Sequence, residues 1–226
     1  MRYRLLGLMS VTILLNCKEV QKTETALQEP NQNILEKVAT AYGYEHWNGV
    51  QEISFTFNVD RDSTHFQRSW IWSPKTNDVA RISGTDTLRY NRATMDSVAF
   101  KTNAGFINDR YWVLAPFNLI WDQDNFTYEL SEEVNAPISG TLHNKLTIVY
   151  GQEGGYTPGD AYDFYLDDAY LIREWVFRKG NQPEPSMTTT WENYTTIEGL
   201  TIVKDHKKAE GNFNLYIDNV RVKTGR

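Results

Sequence analysis

Lys145-Leu146-Thr147-Ile148-Val149-Tyr150 and, past a turn, Tyr162-Asp163-Phe164-Tyr165-Leu166-Asp167 decide how this chain is read. Leu146, Ile148 and Tyr150 alternate with Lys145, Thr147 and Val149. Tyr162, Phe164 and Leu166 alternate in the same way with Asp163, Tyr165 and Asp167. A period of two puts alternate side chains on opposite faces of a strand. The rhythm continues through residues 170–177, where Leu171, Trp175 and Phe177 share a face with Arg173, and then through 187–194, 200–203 and 213–222. The connections are short and rich in Gly, Pro, Asn and Asp. Short connections make sequential strands antiparallel, because a parallel crossover needs a dozen or more residues. In the first of these loops Gly159 follows Thr157-Pro158 and is expected at positive φ.

Upstream, Ile53, Phe55, Phe57 and Val59 line one face of a strand over 49–59, against Glu52, Ser54, Thr56 and Asn58. Residues 65–72 follow, with Phe66, Arg68, Trp70 and Trp72 on one face. A further hairpin is expected over 79–82 and 87–90, and another strand over 126–130. A helix is expected over 31–42: Ile34, Val38 and Tyr42 form a stripe, Asn31 is placed to cap it, and Gly43 suits the position past its end. In the middle, Ile107, Tyr111 and Leu114 fall at helical spacing, giving two to three turns that Pro116 ends. Phe117, Leu119, Ile120 and Trp121 then make an apolar stretch too greasy for solvent. The expected fold is mainly β (α+β). It is a curved antiparallel sheet, or half-open β-barrel, of about ten or eleven strands with an N-terminal helix and a mid-chain helical lid. The loops flanking the lid, 102–105 and 118–124, are its expected hinges.

Residues 1–16 read differently. Arg2 and Arg4 precede an uncharged run over 5–15, too short for a bilayer, which takes ~20 apolar residues. This is the layout of a secretory signal. Cys17, the one cysteine, follows Leu14-Leu15-Asn16, an order that resembles a bacterial lipobox, with Asn16 where Gly, Ala or Ser is usual. The expectation is a lipoprotein signal peptide over 1–16, lipid on Cys17, a flexible tether over 17–30 and a single domain over 31–226.

Composition narrows the function. The chain is 40% hydrophobic and 13% aromatic, enough for a large core. Its formal charge is −6. Without residues 1–16, which carry two arginines and no acid, 21 basic side chains face 29 acidic ones, leaving −8. An acidic surface argues against nucleic acid, whose phosphates need clustered Lys and Arg. His46, His65, His143 and His206 are scattered, without metal-ligand spacing, and read as surface or turn residues. Asp122, Asp124 and Glu133 take positions 1, 3 and 12 of a calcium-loop template, but Phe126 and Thr127 stand where an oxygen ligand and Gly belong. No nucleophile elbow is present, and the glycine-rich 151–155 lacks the ending of a phosphate loop. No catalytic residue, metal or cofactor is expected. The densest carboxylates, Asp160, Asp163, Asp167 and Asp168, read as turn formers or, alternatively, as a hydrolase pair.

The aromatic set is the sharpest lead. Phe55, Phe57, Trp70, Trp72, Tyr111, Trp112, Phe117, Trp121, Trp175 and Trp191 either line an apolar pocket or fill a core. Tyr111-Trp112-Val113-Leu114-Ala115-Pro116-Phe117 with Trp121-Asp122, then Thr157-Pro158-Gly159-Asp160-Ala161-Tyr162 and Tyr165-Leu166-Asp167, resemble the LolA/LolB-like lipoprotein-carrier superfamily. Within it the chain most resembles Bacteroidetes-type envelope lipoproteins of unknown function. The resemblance spans nearly the whole chain after the signal in layout. It implies an incomplete barrel that holds an acyl chain beneath helical lids, without catalysis. Carriers of that kind depend on an arginine beside the cavity, for which Arg68 is the candidate here. The expected partner is a lipid or acylated protein, and the expected place is the cell envelope, anchored through the N-terminal lipid, at the outer membrane. The competing expectation is a scaffold or partner-binding lipoprotein with a packed interior.

Overall fold

The computed structural model describes residues 32–225. The expected signal peptide, Cys17 and the tether lie outside the described residues. In chain order the elements are α1 (Ile34–Ala41), β1 (Val50–Arg61), β2 (Thr64–Ser73), β3 (Asp78–Ser83), β4 (Asp86–Asn91), α2 (Ser97–Trp121), β5 (Phe126–Asn135), β6 (Leu142–Tyr150), β7 (Ala161–Leu166), β8 (Ile172–Arg178), β9 (Met187–Thr190), β10 (Glu192–Ile197), β11 (Leu200–Lys207) and β12 (Asn214–Thr224). A short 3-10 segment, Tyr44–Gly49, follows α1.

Every strand pair is antiparallel. The strands form a seven-stranded sheet, β10-β11-β12-β1-β2-β3-β4, and a five-stranded one, β5-β6-β7-β8-β9. The run expected as one strand over 187–194 divides between them at Trp191. The Trp191 amide still donates to Arg173 O on the β8 side at 2.8 Å, while Glu192 is already paired with Asp205 on β11. One bent strand thus hands the chain from sheet to sheet, and β4 and β5 are left as the free edges of a mostly β, half-open architecture.

Register stacks the apolar faces. Ile53 pairs with Trp72 and Phe55 with Trp70 across β1 and β2. Leu146 pairs with Phe164, and Phe164 with Trp175, across β6, β7 and β8. These side chains join one core cluster with residues of α1 and α2.

The helices depart from expectation in instructive ways. The cap of α1 is Asn33, not Asn31: Asn33 Oδ1 accepts from the Glu36 amide at 3.0 Å, and Glu36 Oε2 accepts from the Asn33 amide at 2.9 Å. This reciprocal pair is a capping box. Gly43 does end the helix at φ 81°, and a Cβ there would sit 2.0 Å from Gly199 O.

The larger correction is α2, which runs 25 residues and directly joins the two edge strands. Asp96 caps it, accepting from the Ala99 amide at 2.8 Å. Pro116 does not end it. Leu114 leaves helical geometry (φ −128°, ψ 25°), so the helix breaks stride two residues before the proline and resumes. A proline is tolerated at the start of a helical segment, where its missing N–H has no partner to lose. The expected hinge 102–105 lies inside α2. Every residue from Tyr111 to Leu119 is buried, so the second half of α2 lies inside the fold, whereas the first half covers the sheet with one face and leaves Val98, Phe100, Lys101, Ala104 and Asn108 exposed on the other.

Candidate ligand cleft

Five parts of the chain meet around an open cleft of about 410 Å³. Trp72 arrives on β2 with Pro74 just past the strand end. Trp47 comes from the 3-10 segment after α1. The α2 helix supplies Ile107, Arg110, Asn118 and Trp121, and Asp122 caps its C-terminus. Arg92 follows β4. Gly155 and Tyr156 reach in from the loop between β6 and β7.

Three indoles form the apolar part. Trp47 lies 5.5 Å from Trp72 and 5.0 Å from Trp121, and Trp72 and Trp121 meet edge-on at 6.4 Å. The Arg110 guanidinium sits over both Trp72 and Trp121, at 5.4 and 5.3 Å from the ring centroids. Such placement over a ring face favours a cation. The loop depends on its glycines. Gly154 and Gly155 take φ 76° and 70°, and a Cβ on Gly155 would lie 2.6 Å from the Tyr150 ring. That tight passage delivers Tyr156 into the interior, stacked on Tyr111 at 3.9 Å with the rings 3° from parallel.

The electrostatics of the cleft are lopsided. Among the described residues neither Arg92 nor Arg110 has a carboxylate within 4.0 Å. Arg92 Nε donates to Asn103 Oδ1 at 3.1 Å, whereas Arg110 Nη2 reaches only Asn118 Oδ1 at 3.4 Å. The Arg110 Nε and the Asn118 Nδ2 are buried without hydrogen-bond partners. Burial, helped by the like charge of Arg92, lowers the Arg110 pKa to about 10. Burial also raises that of Asp122, opposed by a 3.2 Å hydrogen bond from the Tyr150 hydroxyl and by the charge of Arg110.

Two of the ten aromatics singled out in the sequence, Trp72 and Trp121, line this cleft. The other eight, Phe55, Phe57, Trp70, Tyr111, Trp112, Phe117, Trp175 and Trp191, lie in the core cluster, to which Trp72 also belongs. Trp112 meets Trp175 at 4.5 Å and His206 at 5.0 Å, so its ring faces inward and not away from the sheet. His206 is not a surface residue. It is fully buried, Trp191 lies 4.7 Å away, neither ring nitrogen has a partner, and burial pushes its pKa down to about 3.

Arg68 is also accounted for. With its Nε and Nη2 it grips the fully buried Asp109, whose Oδ2 also accepts from Trp70 Nε1 at 2.7 Å. It staples α2 to β2. Of the four carboxylates Asp160, Asp163, Asp167 and Asp168, the first three are likewise engaged, and Asp168 is exposed. Asp163 stands in mid-strand rather than in a turn, taking the Thr147 hydroxyl at 2.6 Å and pairing with Arg178. Asp167 accepts from the Ala169 and Leu171 amides at 2.9 Å and pairs with Arg173. Asp160 accepts from the Gly180 amide. Gly159 takes the expected positive φ, 81°. Among the described residues no group of three His, Cys, Asp or Glu side chains gathers as metal ligands.

Sequence reasoning missed Trp47, Arg110, Asn118 and Tyr156. For Arg110 a signal existed. Asp109-Arg110 is a charged pair inside an otherwise apolar run, and Asp109 is fully spoken for by β2.

No family model matches the chain, and neither does any curated protein. Solved structures similar to it include a DUF1329 family protein from Desulfovibrio piger, at 12% identity over 86% of this chain and 95% of that one, TM-score 0.46. A LolA superfamily protein from Nitrosomonas europaea gives 11% identity over 85% and 93%, TM-score 0.48. A domain from Vibrio parahaemolyticus, described as outer membrane lipoprotein-sorting, gives 11% over 85% and 94%, TM-score 0.41. At such identities the likeness concerns the path of the chain and says nothing of a ligand.

Proposed function

We propose that this chain is a non-catalytic envelope lipoprotein whose domain, residues 31–226, binds an acyl chain or another apolar ligand at the cleft between Trp47, Trp72, Trp121 and Tyr156. Residues 1–16 direct export, Cys17 carries the lipid anchor, residues 17–30 tether the domain, and the anchor holds it at the outer membrane. The observation that carries this reading is the cleft itself. Trp47, Trp121, Ile107 and Pro74 stay partly exposed there in place of packing shut, with the buried Trp72 behind them. Its volume of about 410 Å³ lies within the roughly 300–1,000 Å³ of small-molecule sites. Three of the four carboxylates that a hydrolase would draw on, Asp160, Asp163 and Asp167, are occupied by backbone amides or arginines, which favours binding over chemistry.

A second reading, a scaffold lipoprotein that docks a partner, draws on the eight buried aromatics, which leave the interior filled with rings. Titration of the delipidated domain with a fluorescent fatty acid separates the two. Saturable binding that Trp121→Ala weakens supports the carrier. No binding by the folded wild type leaves the scaffold.

A further inference from the structure

We infer that the cleft selects ligands bearing an anionic group, a carboxylate or a phosphate ester, which the Arg110 guanidinium and the Asn118 amide receive while the apolar chain lies against Trp47, Trp72 and Trp121. This rests on the binding reading above and adds to it the chemistry of the head group.

The argument begins with an imbalance of charge. Taking a cation out of water is costly unless an opposite charge or hydrogen bonds replace its hydration. The protein meets that requirement for two other partly buried arginines, although Arg81, like Arg110, keeps a buried Nε without a partner. Arg68 has Asp109, and Arg178 has Asp163. Arg110 has no carboxylate within 4.0 Å among the described residues, a single long bond to Asn118, and an Nε with no partner. The rings of Trp72 and Trp121 compensate the charge in part, but ring faces do not accept the N–H bonds that a planar guanidinium directs outward.

Asn118 repeats the pattern. It is buried, its Oδ1 is turned toward Arg110, and its Nδ2 is left without an acceptor. Two neighbouring residues on one cleft wall therefore hold surplus donors, and the same cleft contains a second cation, Arg92. Opposing them is Asp122, occupied by Tyr150. An anion supplies what this wall lacks: acceptor oxygens and negative charge. Arginine is suited to it because its fork matches the two oxygens of a carboxylate or phosphate. The aromatic wall makes the remainder of the ligand apolar.

The test uses the non-lipidated mature chain, Cys17→Ser, at neutral pH and four probes: decanoate, decyl phosphate, decanol and inorganic phosphate. Calorimetry reads their affinities for the wild type, Arg110→Met and Arg110→Lys. The expected result is that decanoate or decyl phosphate binds the wild type at least about tenfold more tightly than decanol, the effect of one charge-assisted contact. Arg110→Met removes that preference and leaves decanol unchanged, while Arg110→Lys keeps part of it. Inorganic phosphate binding as tightly as decyl phosphate would reassign the site to a free anion. Wild-type affinity for decanol equal to that for both decanoate and decyl phosphate overturns the head-group inference alone and needs no variant to read. No binding by any probe overturns the carrier reading with it.

Discussion

The surroundings of Trp175 and those of Trp121 are built from the same kind of ring and end in opposite states. Around Trp175, Trp112 packs edge-on at 4.5 Å, Tyr162 stacks at 5.3 Å and Trp191 closes in at 6.2 Å, all deeply buried. Around Trp121, the rings of Trp47 and Trp72 stand at similar spacings, yet a cleft remains. The difference lies in what supplies the rings. Trp175, Tyr162 and Trp191 come from or beside neighbouring strands, where register fixes each ring opposite the next, and Trp112 comes from the helix laid over them. Trp121 is the last residue of α2, Trp47 belongs to a short turn segment, and Tyr156 to a loop. Element ends carry no lattice of partners, so their rings border space that a ligand can use. In this fold an aromatic side chain is structural or available according to the element that holds it.

The sharpest way to break this comparison is to truncate one ring in each place. Trp175→Ala should cost about 3–5 kcal/mol, as large aromatics in closed cores do. Trp121→Ala, half-buried at a cleft wall, should cost about 1 kcal/mol and act mainly on binding. Urea melts of the two variants decide it. Equal losses would mean that the cleft is as structural as the core.

These two regions were also unequally legible. The strand faces could be read because alternation reports a sheet with one buried face. Trp70, Trp72, Phe164 and Trp175 all fell on the expected side. The long helix could not be read in the same way. Periodicity is visible only when one face is polar, and the second half of α2, buried on every side from Tyr111 to Leu119, carries no polar stripe. Pro116 compounded this, because a proline that restarts a kinked helix looks in sequence like one that ends it. Trp47, Arg110 and Tyr156 meet only through tertiary packing, from turn, helix and loop far apart in the chain. His206 was misread for a similar reason: on β11 it alternates into an apolar slot that its own neighbours do not announce.

His206 gives the next test, specific to the closed region. Burial holds its pKa near 3, against about 6.5 for an ordinary imidazole. The folded chain thus keeps this ring neutral where the unfolded chain protonates it. The contribution is fully present above about pH 6.5 and is lost as pH falls from there toward 3. The slope is about 1.4 kcal/mol per pH unit, or about 2 kcal/mol between pH 6.5 and pH 5. The measurement is the difference between wild type and His206→Phe across that range, since other acids titrate in both. A difference that does not change with pH would place His206 in a wetter setting than the rings of Trp112 and Trp191 provide.

The smallest expected effect on stability carries the most weight for the open region. Tyr156 reaches the cleft only because Gly154 and Gly155 let the loop pass close to Tyr150, and its ring then stacks flat on Tyr111. Tyr156→Ala deletes the stack but leaves Tyr111 buried by Tyr162 and Trp175. Aromatic pairing contributes about 1 kcal/mol, which in a domain of this size lowers Tm by roughly 2–4 °C. Binding should suffer more than stability, because Tyr156 forms a wall of the cleft and few other side chains can replace it. Gly155→Ala tests the same wall by another route: the new methyl meets the Tyr150 ring, so the loop must shift and take Tyr156 with it. If both variants melt slightly early and both weaken a fatty-acid probe, loop placement governs access to the cleft. If both bind as the wild type does, the ligand contacts only the indole side, and the loop is cover for Tyr111.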